Sequence, residues 1–180
     1  MLRITIPDVE LWDERTQEFI TFRGQTLQLE HSLVSLSKWE SKWNKAFLSK
    51  VEKTYDETLD YIKCMTLTQN VDPQVYKMLT NDNIVEINNY IASPMTATTI
   101  NDGAGGKGNR EVVTAELIYY WMIALNIPFE CQKWHLNRLL TLIKVCNIKN
   151  SPPKKRSKRD IMSRNAKLNA ARRQQMNSRG

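Results

Sequence analysis

The chain has 180 residues, 41% of them hydrophobic, and a formal net charge of +7. That length suits one domain with a modest core, and no apolar run approaches the roughly 20 residues that a bilayer crossing needs, which excludes a membrane-spanning reading. Cys64, Cys131 and Cys146 are too few and too widely spaced for a disulfide framework and read as ordinary buried thiols. The opening MLRITIPDVELWDE lacks the basic start and long apolar middle of a secretory signal, so action in a cytosol is expected.

In chain order, LRITI at Leu2 to Ile6, Val9 to Trp12, Phe19 to Phe22 and LQLEHSL at Leu27 to Leu33 alternate apolar with polar residues and contain many β-branched ones. They predict three or four short strands, a meander or hairpin with a turn at Gly24, and a sheet this small needs helices against one face. Ser37 and Glu40 in SKWE have capping-box spacing, which predicts a helix running to about Phe47 with Trp39 and Trp43 on one face. The plain reading of this tryptophan pair is a docked core helix; the sharper one is an aromatic contact surface for a partner.

Thr54 and Glu57 form a second box that starts TYDETLDYIKCMTL, with Tyr55, Leu59, Ile62 and Met65 turned inward. Asp72 and Pro73 open a short helix over Val75 to Leu79, and Asn81 or Asp82 caps another through Ile91 that ends before Pro94. From Thr96 to Arg110, TATTINDGAGGKGNR carries four of the six glycines. A phosphate-binding loop needs four residues between its first glycine and GK, followed by Ser or Thr. Here the spacing is wrong and Lys107 is followed by Gly108. A flexible connection is the expected role.

The densest apolar stretch runs from Thr114 to Asn147 and contains Trp121 and Trp134. Leu117, Ile118, Trp121, Met122 and Leu125 make one helical face; Pro128 favours the start of a second helix, on which Cys131, Trp134, His135, Leu139, Leu142, Ile143 and Cys146 share a stripe. Folded as a hairpin, these helices would be the seed of the core, with Trp134 buried in it.

After Asn150 the composition changes. Between Ser151 and Gly180 stand Lys154, Lys155, Arg156, Lys158, Arg159, Arg164, Lys167, Arg172, Arg173 and Arg179 against Asp160 alone, a balance of +9 that leaves the first 150 residues at −2. A basic helix can form from about Lys158 to Met176, but its apolar residues are too few to hold it against a body. The expected fold is therefore α+β and mainly helical: a small N-terminal β-meander (1–34) packed on a helical core (35–150) as one globular domain, with a basic C-terminal extension (151–180).

Chemistry finds little footing. His31 and His135 have no second histidine near them in sequence, and Cys131 with His135 supplies only half of a metal site, so neither catalytic residues nor a metal or other cofactor are expected. Ten cations on the arm would bind phosphates with a steep salt dependence and no base readout, or an acidic protein surface, or a partner's groove, or equally form a solvated tail. No aromatic residue interleaves them as a stacking platform for single strands would require.

SLSKWESKW at Ser35 to Trp43, DETLDYIKCMTL at Asp56 to Leu67, IYYWMIALNIPFECQKWHLNRLLTLIKVCN at Ile118 to Asn147 and the closing SRNAKLNAARRQQMN together resemble the tail assembly chaperones of long-tailed bacteriophages. That resemblance, which covers most of the chain, implies a non-enzymatic protein of the host cytoplasm. It would bind the tape-measure protein, recruit tail-tube protein and leave the finished virion, and a homo-oligomer is compatible with it. Many such chaperones also exist in a longer, frameshifted form. An apolar groove is the device such a role requires. Trp39, Trp43, Trp121 and Trp134 are candidates to build core and groove. Trp39, Trp43, Lys154, Lys155, Arg156, Lys158, Arg159, Arg164, Arg172 and Arg173 are the candidate partner-binding residues. The basic arm departs from the family picture and admits an alternative, a structural virion protein of the neck or tail, or a nucleic-acid binder.

Overall fold

A computed structural model of the chain describes residues 1–15, 17–100, 112–151 and 158–176. Its contacts divide it into two units, Met1–Asn147 and Ile148–Gly180. The first begins with strands β1 (Leu2–Ile6), β2 (Val9–Asp13), β3 (Glu18–Phe22) and β4 (Gln25–Leu29). Helices α1 (Leu33–Trp43), α2 (Tyr55–Met65), α3 (Asn81–Ala92) and α4 (Ala115–Ala124) follow, with a 3₁₀ turn at Val75–Met78 before α3. A second 3₁₀ turn at Phe129–Lys133 leads into α5 (Leu136–Asn150), whose last three residues belong with the second unit and with α6 (Lys158–Met176). The fold is α+β and mainly helical.

The strands nest; they do not form a meander. β1 pairs antiparallel with β4, Leu2 opposite Leu29 and Ile6 opposite Gln25, and the β2–β3 hairpin is inserted between them as a separate two-stranded sheet. Alternation places Ile4, Ile6, Leu27 and Leu29 on one buried face, and only the β1–β4 register brings these four together. Where the chain leaves and re-enters this pair, a Cβ on Gly24 would lie 2.1 Å from the Ile6 carbonyl oxygen, so no larger residue fits there. The Gly24 amide donates to Asp8 Oδ1 at 2.6 Å and closes the hairpin's base.

α1 begins earlier than its SKWE motif suggests. Ser32 is the N-cap: its hydroxyl accepts from the Ser35 amide while the Ser35 hydroxyl accepts from the Ser32 amide, a box closed by two serines. The helix stops at Trp43, because Asn44 takes the left-handed conformation, φ 52°. The Thr54–Glu57 box opens α2 as predicted, although Tyr55 faces solvent. α3 is capped by Thr80, one residue before the expected cap, and places Ile84, Ile87 and Ile91 against the sheet-side core.

Two apolar clusters meet at α1. The first joins the β1–β4 pair, Trp39, α2, the first 3₁₀ turn and α3. The second joins Leu33 and Leu36 to Ala115, Ile118 and Met122 of α4 and to Leu136, Leu139 and Ile143 of α5. α4 ends in a Schellman motif: Asn126 is left-handed at φ 53°, its amide bonds to Ile123 O and the Ile127 amide to Met122 O. That motif accounts for the break in pattern at Asn126 and Ile127.

Pro128 does not start α5. Leu136 donates its amide to the His31 carbonyl oxygen at 2.7 Å and His135 bridges to Ser32, so the chain between Pro128 and His135 is held as a short 3₁₀ turn and the helix begins beyond it. Trp134 consequently precedes α5 and is only half-buried, with Arg138 stacked 4.2 Å from its ring centre; it is not the core residue the stripe predicts. The glycine-rich connection from Asn101 onward lies outside the described residues. Among those described, no helix is long and apolar enough to cross a membrane.

Candidate protein-docking groove

Glu40 organises this side of the molecule. It is buried on α1, and its carboxylate accepts the Phe47 amide at 2.8 Å and the Ala115 amide at 2.7 Å. One acidic side chain thus closes the turn after α1 and fixes the first turn of α4, where a negative charge also suits the helix dipole. The segment from Leu48 to Val51 is left running beside α4 and α5.

Between them opens a groove of about 860 Å³. Leu48, Val51, Val112, Val113, Trp121, Leu140 and Ile143 line it, with Ser49 and Asn147 as neutral polar neighbours and Lys50 and Lys144 as its charged members. Val51 is 71% exposed, an aliphatic side chain left in water at the groove's edge. A second hollow of about 440 Å³ continues from it across Ser49, Val51 and Val112, and Trp39 contributes to its wall. An open, aliphatic surface of this kind excludes little water until something apolar fills it, and several adjacent side chains of one partner segment fit its volume.

The predicted contact residues divide. Trp39 is 1% exposed; its Nε1 donates to Glu57 O at 2.8 Å, and its ring lies among Trp43, Phe47 and Tyr61. Apart from what it contributes to the second hollow's wall, its surface is used inside the molecule, as the plain reading of a docked core helix has it and not as the open aromatic contact surface of the sharper one. Trp43 is half-buried, stacks on Trp39 and donates Nε1 to Asp60 Oδ2 at 2.9 Å; it lines neither hollow. Burial would raise the pKa of Asp60, but hydrogen bonds from Lys42 and Trp43 outweigh it and hold the carboxyl below its ordinary value. Lys45 pairs with Glu57 beside these rings, and that hydrogen bond, with those from Thr54, lowers the Glu57 pKa.

In the second unit, Arg159, Arg164, Arg172 and Arg173 are exposed on α6. At 3.6 residues per turn they point in several directions, so the helix has no charged stripe. Lys154, Lys155 and Arg156 lie outside the described residues, as does the side chain of Lys158.

The fold also joins two residues that are separate in sequence. His31 and His135 are both buried with ring centres 5.1 Å apart, one before α1 and the other before α5. His31 Nδ1 hydrogen-bonds the Tyr61 hydroxyl. His135 Nε2 lies 3.0 Å from the Tyr90 carbonyl oxygen, which can only accept, so Nε2 carries the proton; Nδ1 is then a buried acceptor with no partner among the described residues. Burial first, and then repulsion by His135, lowers the His31 pKa to about 3, and burial lowers that of His135. Neither ring lines the groove.

Sequence reasoning passed over the groove except at Trp121. Leu48 and Val51 sit in the polar-looking LSKVEK, and Val112 follows the glycine-rich stretch; neither segment has a periodicity that marks a face. Fold and site define a small, mainly helical α+β protein with an open apolar groove between two helices and a flanking loop. Comparison of the chain with known protein families, curated proteins and solved structures finds no match.

Proposed function

We propose that the chain is a non-enzymatic tail assembly chaperone of long-tailed bacteriophages, which binds the tape-measure protein in the host cytoplasm and promotes assembly of tail-tube protein around it. The observation that carries this reading is the open groove of about 860 Å³ whose wall is mostly aliphatic. A tape-measure chain presents apolar helical stripes before assembly, and masking them takes a reversible apolar surface more than an active site. A helix docks in such a groove through side chains at i, i+3 or i+4 and i+7, spaced over about 10 Å. The resemblance of four sequence segments to this family supports the same role.

The second reading rests on α6, whose arginines are exposed in several directions: a virion protein of the neck or tail, or a nucleic-acid binder. Co-expression with a tape-measure protein, purification through a tag on that partner and washes at low and high salt separate the two. Retention through high salt together with a soluble partner supports the chaperone. Recovery with nucleic acid that high salt removes supports the arm as the binding element and sinks the groove-based reading.

A further inference from the structure

The groove's chemistry has a counterpart elsewhere in the first unit. Trp12 and Phe19 stand opposite each other on β2 and β3 with ring centres 4.9 Å apart, and they are 52% and 68% exposed. Glu10, two residues before Trp12 and thus on the same strand face, is exposed, as are Glu14 and Glu18 at the hairpin's end. From Asp8 to Glu18 the hairpin holds five carboxylates against Arg15. It is an aromatic knob in an acidic setting, whereas the groove is an aliphatic slot whose charged members are Lys50 and Lys144. No groove-lining residue comes from the hairpin, so the two surfaces do not meet within one molecule.

We infer that the β2–β3 hairpin of one copy seats Trp12 and Phe19 in the groove of a second copy, with its carboxylates facing Lys50 and Lys144. Two features favour a second copy as the occupant. The charges are complementary, and both surfaces are apolar in the fully assembled fold, where a two-stranded hairpin standing apart from the main strand pair gains little support of its own. Such a contact is heterologous: each copy offers one hairpin and one groove, so assembly continues until a ring closes or a filament grows. The inference does not depend on the identity of any client. A client segment that used the groove would compete with the hairpin.

The test is sedimentation velocity on the full chain over about 1 μM to 1 mM, the range in which contacts of moderate affinity are resolved. A hairpin variant, Trp12→Ser with Phe19→Ser, and a groove variant, Lys50→Glu with Lys144→Glu, are measured alone and mixed; Glu10→Lys with Glu18→Lys serves as a hairpin variant that keeps both rings. Unchanged melting temperatures establish that each is folded. The wild type is expected to grow in mass with concentration and each variant to sediment as a monomer. The mixture of the Trp12→Ser, Phe19→Ser variant with the groove variant should give a heterodimer and nothing larger, because one intact hairpin meets one intact groove and the remaining surfaces are both disabled. A monomeric wild type across the range would overturn the inference. So would variants that associate like the wild type, a groove variant that alone keeps associating, or a mixture that stays monomeric.

Discussion

Glu40 shows how one side chain can carry structure that no local pattern announces. In the sequence it completes a plausible box with Ser37, yet its carboxylate joins amides at Phe47 and Ala115, the latter 75 residues away. Glu40→Ala should cost about 2 to 4 kcal/mol, since it leaves the buried Ala115 amide and the part-buried Phe47 amide without an acceptor; urea unfolding measures it, and a change below about 1 kcal/mol would count against the role. The histidine pair is equally invisible locally, because His31 and His135 meet where the Ser32–His135 bridge joins segments far apart in sequence. With the folded His31 pKa near 3 against an ordinary 6.5, its contribution is complete above pH 6.5. As the pH falls below that value, the unfolded chain binds a proton that the folded chain refuses, and stability drops by about 1.4 kcal/mol per pH unit for this group. Stability profiles of the wild type and His31→Gln should therefore diverge between pH 6.5 and 5, with the steeper slope in the wild type.

At the scale of elements, what was legible followed from adjacent residues. The Thr54–Glu57 box, the end of α3 before Pro94 and the span of α6 are local properties and were readable directly. The start of α5 and the nesting of the strands were not. One depends on a hydrogen bond from Leu136 to His31, and the other on which strand supplies the partner for β1. The groove was hidden for the same reason, since it sets Leu48 to Val51 and Val112 with Val113, segments without periodicity, against Trp121 of α4 and Leu140 and Ile143 of α5. The tryptophans now separate into testable classes: Trp39→Ala should cost the full 3 to 5 kcal/mol of a buried aromatic truncation, and Trp134→Ala about half of that, because one ring face meets Arg138 and solvent. Equal losses in thermal or chemical denaturation would contradict the assignment.

For the whole molecule, the second unit should be separable from the first. Every α6 side chain described is exposed, Met162, Leu168 and Met176 among them. Truncation after Asn150 is expected to shift the melting temperature by less than about 2 °C, a change that corresponds to about 0.5 to 1 kcal/mol in a domain of this size. A larger fall would mean that the arm contributes to the fold of the body. If the truncated protein keeps its client while losing only salt-sensitive retention, the arm acts as a long-reach tether and the groove supplies the affinity.

α1 contributes to both apolar clusters, Trp39 to one and Leu33 and Leu36 to the other, and Glu40 on the same helix holds the first residue of α4. The fold can therefore be regarded as two interlocking fragments with their junction inside a helix instead of at a linker. Cutting the chain between α3 and α4 would leave the C-terminal fragment without its hydrophobic counterface unless the N-terminal fragment were present. The two pieces, expressed apart, should each be poorly structured at the second cluster and should recover native helicity on mixing, which makes this protein a natural candidate for a split reporter.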